Sequence, residues 1–496
     1  MSADVDLLVA GAGPAGMSAA VAARRLGLSV TVVDENPEPG GQIYRRILSN
    51  AARPQRARLL GADYAKGLAL ARAFVASGAE LRAQSTVFEI SEDGSASVVS
   101  PERGAEVVTP RATLIATGAS ERAFPVPGWT LPGVMTAGAA QTLLKSTGQV
   151  PRGRIVLAGG GPLLWLVAHQ LLSAGAEVAA VLSFATRADQ LRALPGALAA
   201  WRSIGAIAKG ARWIAGLGAR GVKIVHGARI DGIEEQGERR RVRYRAAGRD
   251  ASEEADVVLL HAGVVPSVQA SMSLALDHVW NDLQFCWQPV TDDWGATSNP
   301  RVLVAGDGAG ISGAEDAVRA GELAALGLAA RMGRIGDDER DARAAPLLAA
   351  RARQLGLRRF LDALYAPPTW LRTPPDDETL VCRCEQVSAR AIREAVRLGA
   401  LGPNQVKAFV RAGMGPCQGR MCAQTVAAVV ADERGVDCSL VPTQRVRPPL
   451  KPLHLGDLAD MPRAQGEEAG SGQSITSGLL HSPEETPAGA EVNASH

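Results

Sequence analysis

The sequence predicts an α/β protein with two nucleotide-binding units in tandem and a small cysteine-containing module after them. An apolar run at residues 5–10 is followed by a glycine-rich turn at 11–16 and a helical stretch, which is the start of a βαβ unit. The same order of strand, glycine turn and helix begins again at Arg154. Four of the six cysteines lie between Cys382 and Cys422. We therefore expect two Rossmann-like dinucleotide-binding domains and a separate C-terminal module.

Composition and charge are those of an ordinary globular protein. Of the 496 residues, 46% are hydrophobic and 21% are charged, and the formal net charge is only +2. This balance gives no electrostatic reason to expect a nucleic-acid partner. Asp4 and Asp6 stand where an export signal would be basic, and glycines interrupt the uncharged stretch 155–176 early, so neither an export signal nor a transmembrane segment is expected. We expect a cytoplasmic location, with peripheral attachment to the inner membrane face as the alternative.

The first glycine-rich turn has the spacing Gly-x-Gly-x-x-Gly directly after a predicted strand. Gly11 permits the tight turn, Gly13 lets the backbone approach a pyrophosphate, and Gly16 lets helix and strand pack closely. The helix that opens at Pro14 and Ala15 offers free N–H groups to the anion. This turn therefore predicts a dinucleotide site.

Two acidic residues follow the first turn at the end of the second predicted strand. Asp34 and Glu35 stand about 20 residues beyond the glycines, where an acid usually accepts hydrogen bonds from the ribose. We expect one of them to hold the ribose, with Glu35 slightly preferred.

The second glycine-rich turn departs from the dinucleotide pattern at two points. Leu164 occupies the third glycine position, and the following strand ends at Ser183 and Phe184 without an acid for a ribose. NAD(P)H is therefore not expected here. A vestigial fold, or one that holds another nucleotide such as ATP, explains these departures better.

The cysteines near the C-terminus provide four thiolates in two pairs. Cys382-x-Cys384 and Cys417-x4-Cys422 match the ligand count of a [2Fe–2S] cluster with two cysteines on each iron. Zinc also accepts four cysteines, but its structural sites more often separate each pair by two to four residues. An iron–sulfur cluster is the favoured prediction, and zinc or no metal are the alternatives. No general acid or base is nominated, because the seven histidines form no motif with carboxylates or serine.

The order of motifs resembles the two-dinucleotide-domain flavoprotein superfamily that includes glutathione and thioredoxin reductases. The resemblance is carried by residues 11–16, 34–42, 116–118 and 305–308. It implies a bound FAD, with the last aspartate bonded to the ribityl chain. Motif and resemblance together assign FAD binding to Gly11, Gly13, Pro14, Ala15, Gly16, Asp34, Glu35, Gly41, Gln42, Thr117, Gly118, Gly306 and Asp307. The cysteine pair that disulfide reductases need beside the flavin is missing, which excludes thiol chemistry there.

A narrower resemblance comes from the segments 381–385 and 413–422, which are similar to the bacterioferritin-associated-ferredoxin-like [2Fe–2S] domain. With this domain behind a flavoprotein, the chain to about residue 440 resembles the alpha subunit of heteromeric amino-acid dehydrogenases. That family includes opine oxidases, D-hydroxyproline dehydrogenase, archaeal-type proline dehydrogenase and hydrogen cyanide synthase, and the segment 39–45 favours the opine and hydroxyproline members. The resemblance implies an electron-transferring subunit whose D-amino-acid-oxidase-like FAD partner oxidises the substrate. The further partners it implies are a small ferredoxin-like protein and a quinone or other acceptor.

The expected division of the chain follows from these motifs and from changes in composition. A stand-alone NAD(P)H-dependent FAD/[2Fe–2S] reductase and a cofactor-poor assembly scaffold are the alternative functions. The expected units are a discontinuous FAD-binding domain (1–125 and 285–330), a second nucleotide-binding-like domain (126–284), a connecting arm (331–377), a [2Fe–2S] domain (378–440) and an extended, disordered tail (441–496).

Overall fold

The computed structural model describes residues 5–199, 204–459 and 461, which alternate between strands and helices as an α/β fold requires. The strands, in chain order, are β1 (Val5–Ala10), β2 (Val30–Asp34), β3 (Glu80–Ala83), β4 (Thr86–Ile90), β5 (Ala96–Ser100), β6 (Gly104–Val108), β7 (Pro110–Ile115), β8 (Ala119–Glu121), β9 (Val134–Thr136), β10 (Arg154–Gly159), β11 (Glu177–Ser183), β12 (Lys223–His226), β13 (Arg229–Gln236), β14 (Arg239–Ala246), β15 (Arg249–Ala255), β16 (Val257–His261), β17 (Val264–Pro266), β18 (His278–Asn281), β19 (Cys286–Pro289), β20 (Val302–Val304), β21 (Leu380–Cys382) and β22 (Val387–Ser388). The helices are α1 (Pro14–Arg25), α2 (Ile47–Ala51), α3 (Pro54–Leu60), α4 (Ala62–Ala65), α5 (Gly67–Ala76), α6 (Ala137–Thr147), α7 (Pro162–Ser173), α8 (Arg187–Ala199), α9 (Ile204–Ala219), α10 (Gln269–Ser273), α11 (Ala314–Arg331), α12 (Asp337–Leu364), α13 (Thr369–Arg372), α14 (Ala389–Arg397), α15 (Pro403–Val410), α16 (Ala423–Arg434) and α17 (Leu455–Ala459).

Two parallel five-stranded sheets form the centre of the molecule. The first has the strand order β20-β7-β1-β2-β3, and the second has the order β12-β11-β10-β16-β9. In each sheet the strand before the glycine-rich turn is central, and the strand after the helix pairs beside it. The predicted α/β class with two Rossmann-like sheets is confirmed. In the first sheet β2 lies on one side of β1 and β7 lies on the other. This reversal of strand order creates a crevice at the carboxyl ends of β1 and β7.

From Leu7 to Ala10, strand β1 is apolar, and helices and a small sheet cover both of its faces. Leu7 and Val9 face the core that contains α1 and α11, whereas Leu8 faces the antiparallel strands β4, β5 and β6. All three side chains are at most 1% exposed. This continuous apolar run, rather than an alternating one, is typical of a buried parallel strand.

The chain leaves the first sheet after β7 and returns to it through β20. Leu303 pairs with Leu114 in parallel register, and α11 then packs along α1. The backbones of the two helices approach closely, since a Cβ added to Gly321 of α11 would lie 2.1 Å from the carbonyl oxygen of Ala15. The first unit is therefore assembled from two segments that are distant in sequence.

The cysteine-containing module has a core of its own. The hairpin β21–β22 and the helices α14, α15 and α16 pack around Val381, Ile392, Val406 and Val426. The module is fixed to the second unit by the indole N–H of Trp129, which donates to the carbonyl oxygen of Leu380 at 2.7 Å.

The segment after the module corrects part of the expected disordered tail. Val441, Val446 and Leu450 are buried, and the Leu450 N–H donates to the Phe88 carbonyl oxygen at 2.6 Å. Burial of these apolar side chains compensates for the conformational entropy that the segment loses when it becomes ordered. The segment 441–450 is therefore packed, Leu455 and Leu458 beyond it are exposed, and the expectation for 462–496 lies outside the described residues.

The contact between α1 and α11 yields a stability prediction. We expect Gly321→Ala to lower the free energy of unfolding by about 1–3 kcal/mol, because the added methyl group would overlap a backbone oxygen that cannot rotate away. Gly210→Ala in α9 is the matched control: no atom lies within 4 Å of its Cβ, so it should be neutral or stabilising. Thermal midpoints of FAD-free protein measure both effects, and equal midpoints for the two variants would contradict the prediction.

Candidate functional site

A cleft of about 490 Å³ opens at the carboxyl ends of the first sheet. Its volume is within the range of ligand sites. The sequence-predicted residues that line it are Gly11, Gly13, Pro14, Ala15, Asp34, Glu35, Gly41, Gln42, Thr117, Gly118, Gly306 and Asp307. Gly16 is the remaining predicted residue, and it lies under the turn rather than in the cleft wall. The structure therefore brings segments from four parts of the chain to one place.

The glycines of the first turn have distinct structural roles. A Cβ on Gly11 would lie 2.6 Å from the Ala116 carbonyl oxygen, and a Cβ on Gly16 would lie 1.9 Å from the Gly11 carbonyl oxygen. For Gly13 the nearest atom is the Cα of Gly41, at 3.9 Å, so this position borders open space. Helix α1 begins at Pro14 with no side-chain cap. Its first N–H groups are thus left for an anion, and the turn fits the pyrophosphate of a dinucleotide.

The two acids after β2 differ in what they bind. The Oδ2 atom of Asp34 accepts the Ala12 N–H at 2.6 Å, and Oδ1 accepts both the backbone and the side-chain N–H of Asn36. Glu35 lines the cleft and forms an ion pair with Lys451 at 2.7 Å. Lys451 contacts both oxygens of Glu35, but the Glu35 side chain is 49% exposed, whereas Asp34 is buried. Glu35 is therefore the more accessible carboxylate for a ribose. That assignment stays a prediction.

Asp307 is fixed just before α11 through one of its two carboxylate oxygens. Its Oδ1 atom accepts the backbone N–H groups of Ser312 and Gly313, each at 2.9 Å. Oδ2 has no hydrogen-bond donor within the described part of the chain and belongs to a residue that lines the cleft. An oxygen fixed in this way is suited to accept a hydrogen bond from a ligand hydroxyl, as the ribityl role requires.

A buried lysine beneath the cleft was not found by the sequence analysis. The Nζ atom of Lys145 donates to the Gln42 carbonyl oxygen at 3.0 Å and to Oε1 of Gln141 at 2.9 Å. Burial, with a smaller contribution from Arg45, lowers the pKa of Lys145 to about 7. The lysine anchors the loop that carries Gln42. No sequence signal could have found it, because it lies in an ordinary helical pattern of α6.

The four predicted cluster cysteines meet in two pairs, and each pair joins one cysteine of Cys382-x-Cys384 to one of Cys417-x4-Cys422. The thiols of Cys382 and Cys422 share a hydrogen bond, and those of Cys384 and Cys417 form the second pair. The bond from Cys422 lowers the pKa of Cys382 to about 6, and the same bond together with burial raises the pKa of Cys422. In the described ranges no group of three or more His, Cys, Asp or Glu side chains has the arrangement needed to bind one metal ion. The two pairs are close enough for Cys417 and Cys384 to influence the pKa of Cys422, and four neighbouring thiols fit the ligand count of a [2Fe–2S] cluster.

Glycines give the cysteine loops their close approach. The Gly413 N–H points at the Cys382 sulfur, 3.4 Å away, which is a bond that stabilises a thiolate. A Cβ on Gly415 would lie 2.3 Å from the Cβ of Cys384. Any side chain at that position would force the loop carrying Cys417 away from Cys384, so the backbone is built to enclose the four sulfurs.

Arg420 connects the cysteine loop to the cleft. It stands between two of the cluster cysteines in the sequence, donates to the Cys417 carbonyl oxygen at 3.1 Å and to the Leu450 carbonyl oxygen at 2.9 Å, and lines the cleft. Burial lowers its pKa, whereas the nearby Glu35 raises it. Sequence reasoning missed this residue because it occupies an unspecified position of the Cys417-x4-Cys422 motif.

The second glycine-rich turn is covered by side chains. Leu164 is completely buried. The Phe184 ring packs against Gly160, where an added Cβ would lie 2.5 Å from ring atoms, and the His261 ring lies beside Gly161. The Nδ1 atom of His261 is 2.6 Å from Oε1 of Glu121. Because aromatic rings occupy this turn, the structure gives no support to the ATP site considered for the second unit.

Comparison with known protein families places both units and the module in one class of oxidoreductase. The family model described as pyridine nucleotide-disulphide oxidoreductase matches residues 5–322, and the model described as BFD-like [2Fe-2S] binding domain matches residues 380–432. The predicted C-terminal [2Fe–2S] domain is thereby confirmed.

Sequence identity to curated proteins identifies the family within this class of oxidoreductase. The A subunit of opine oxidase from Agrobacterium tumefaciens (strain Ach5) is 45% identical over 92% of this chain and 92% of its own length. The protein of the same name from Rhizobium meliloti is 43% identical (92% and 88%), and hydrogen cyanide synthase subunit HcnB of Pseudomonas aeruginosa is 34% identical (84% and 90%). The chain belongs to the family of opine oxidase A subunits and HcnB, as the resemblance in the sequence indicated.

A solved structure supports the fold over nearly the whole chain. L-proline dehydrogenase from P. horikoshii superposes with a TM-score of 0.64 at 17% identity, covering 92% of this chain and 79% of that one. At this identity the likeness concerns the fold alone. Among the described helices, none has the length and apolar character needed to cross a membrane.

Gly13 yields a prediction that separates ligand binding from stability. We expect Gly13→Ala to leave the thermal midpoint of FAD-free protein nearly unchanged, since the site has room for a Cβ, but to weaken FAD binding at least tenfold, because the methyl group blocks close approach of the pyrophosphate. Fluorescence titration with FAD measures the affinity, and Gly210→Ala serves as the control. FAD affinity equal to that of the native protein would show that the pyrophosphate does not approach Gly13.

The cysteine pairs yield a prediction about metal content. Purified native protein should contain about two irons per chain, and Cys384→Ser should lose most of the iron and the visible absorbance of the cluster. Cys438→Ser is the control, because Cys438 packs beside the module core outside the two pairs. Metal analysis that finds zinc in place of iron would contradict the cluster assignment.

Proposed function

We propose that this chain is the electron-transferring subunit of a multi-subunit amino- or imino-acid dehydrogenase of the opine or D-hydroxyproline type. It binds FAD in the cleft of the first unit and a [2Fe–2S] cluster on Cys382, Cys384, Cys417 and Cys422. Substrate oxidation, at a C–H and N–H bond of the donor, takes place on a partner subunit. The electrons then reach this chain and leave it for an acceptor other than oxygen.

The observation that carries the proposal is the position of Arg420. One side chain lines the FAD cleft and is bonded to the backbone of the cluster cysteine Cys417. The two redox sites are thus adjacent within one chain, which a relay needs. FAD takes up two electrons and a [2Fe–2S] cluster carries one at a time.

The residues of this chain have positioning rather than proton-transfer roles in the relay. The first N–H groups of α1 hold the pyrophosphate, Asp307 holds the ribityl chain, and Lys145 fixes the loop of Gln42. No cysteine lines the cleft in the part of the chain that the structure describes. Electrons therefore have no thiol acceptor at the flavin, which favours the cluster as the next carrier.

Partner chains are part of the proposal. Relatives at 45% and 43% identity are each named as one subunit of an oxidase, and a name of that kind supports an assembly. We propose that substrate is oxidised on a D-amino-acid-oxidase-like FAD subunit, that a small ferredoxin-like subunit is a further carrier, and that a quinone or similar compound is the acceptor. A cytoplasmic location, free or at the inner membrane face, suits such an acceptor. The alternative of a stand-alone NAD(P)H reductase is disfavoured by the side chains that cover the second turn.

The test is turnover by this chain alone. Residues 1–496, expressed without partners and with bound FAD confirmed, should not oxidise octopine, nopaline, D-hydroxyproline, proline or glycine with an artificial dye as acceptor. Activity should appear when the D-amino-acid-oxidase-like subunit is added, because that subunit supplies the pocket that orients the Cα–H. Gly13→Ala in the same mixture is the control for the role of this FAD site. Turnover of any of these compounds by the isolated chain would place the catalytic site here and end the relay assignment.

A further inference from the structure

A second and smaller cavity lies where the first unit, the second unit and the cysteine-containing module meet. Its volume is about 70 Å³, and its wall combines residues of all three parts, among them Ser120, Arg122, Arg372 and Gln424. Each water molecule needs about 10–15 Å³ measured in this way. The cavity therefore has room for a few water molecules or one small ion, and it is too small for a nucleotide.

Arg122 is a buried cation at this junction. Its Nη atoms donate to the carbonyl oxygens of Gln284 and Phe285 and, at 2.7 Å, to Oε1 of Gln424. Its Nε atom is buried without a partner. Burial, with a smaller contribution from the positive charge of Arg372, lowers the pKa of Arg122 to about 10. The guanidinium still carries its charge at neutral pH.

Arg372 is the second cation on the cavity wall. Its Nε atom donates to the Pro367 carbonyl oxygen at 2.6 Å, and its guanidinium lies 4.2 Å from the centre of the Phe285 ring. Within the described residues the Nη groups have no acceptor. Their four N–H donors are therefore free for a ligand.

The charge of the two arginines is not balanced by the protein. Neither forms an ion pair with any carboxylate in the described ranges. Among the described residues Glu121 is the one acid on the cavity wall, and its two oxygens are bonded to His261 and to the Gly138 N–H. The nearby thiols cannot compensate, because burial raises the pKa of Cys286 and of Cys438 to about 11. Arg420 is a third cation on the wall, and it donates to the carbonyl oxygens of Cys417 and Leu450. Partly buried cations that face one cavity without an anion are unfavourable unless an anion is supplied.

We propose that this cavity is a binding site for a small oxyanion, either a carboxylate or an inorganic phosphate. Planar guanidinium groups match the oxygens of both ions. Because Arg122 is bonded to Gln424 of the module and Arg372 belongs to the segment that leads into it, the bound anion fastens the module to the two nucleotide-binding units. The cavity borders the FAD cleft and shares Ser120, Gln269 and Arg420 with it, but Arg122 and Arg372 do not line that cleft. The proposal does not depend on the relay function.

The experiment uses native protein saturated with FAD and carrying its cluster, so that anions cannot bind to an empty pyrophosphate site. Sodium acetate and sodium phosphate are titrated separately against sodium chloride at equal ionic strength, and the thermal midpoint and the heat of binding are measured. At least one of the two oxyanions should bind saturably and raise the midpoint above that in chloride. Binding of acetate alone identifies a carboxylate ligand, and binding of phosphate alone identifies a phosphate.

The variants decide whether the arginines are responsible. Arg372→Gln should weaken anion binding at least tenfold, and Arg372→Lys should weaken it less because the charge remains. Arg187→Gln is the matched control, since Arg187 is exposed and lies outside the cavity wall. FAD and iron contents are measured in each variant to show that the fold is kept. No saturable effect beyond chloride, or equal binding by native protein and Arg372→Gln, would overturn the proposal.

Discussion

The close approach of α11 to the backbone of α1 is the contact on which the functional architecture depends. Gly321 leaves no room for a Cβ beside the Ala15 carbonyl oxygen, and a Cβ on Gly306 would lie 2.8 Å from the Cβ of Ala15. These contacts bring a segment some 300 residues away in sequence onto the first glycine-rich turn. Gly13 and Asp307 line the same cleft, so its wall is complete only when the two segments have joined. Packing at this one point therefore couples stability of the first unit to its binding site.

The local parts of the site could be predicted from sequence because short motifs encode them. The turn from Gly11 to Gly16 and the set of four cysteines can be read directly from their spacing. Which cysteines touch could not be read in this way, because the folded module pairs Cys382 with Cys422 and Cys384 with Cys417. Lys145 and Arg420 could not be predicted, because both bind backbone carbonyl oxygens that only the folded chain brings near. The packed segment after residue 441 was missed for a similar reason. Its few apolar residues, such as Leu450, are separated by polar ones and find their partners in another unit.

The motif alone cannot distinguish the roles of the adjacent acids Asp34 and Glu35. Both carboxylates stand at the same distance from the glycines, and a pattern cannot say which of them points inward. In the structure Asp34 holds the glycine-rich turn to β2, and Glu35 meets Lys451 at the mouth of the cleft. Asp34 is buried in that structural role, whereas Glu35 stays exposed beside Lys451. Lys451 follows Leu450, whose carbonyl oxygen accepts from Arg420, so the part of the cleft that carries Glu35 is linked to the cysteine loop.

Positive charge is concentrated on the side of the cleft that faces the cysteine loop. Arg420 adjoins Cys417 and the cleft, while Arg122 and Arg372 stand behind the same loop, and neither of the latter two is paired with a carboxylate in the described residues. A positive charge near an electron carrier stabilises its reduced form, and the effect is larger where water is excluded. Arg420 lines the cleft and bonds to the Cys417 backbone, so its charge would stabilise the reduced form of a carrier held at either site. An anion held by Arg122 and Arg372 would offset part of the positive charge behind the cysteine loop, and anion binding would then change the reduction potential of a carrier bound there.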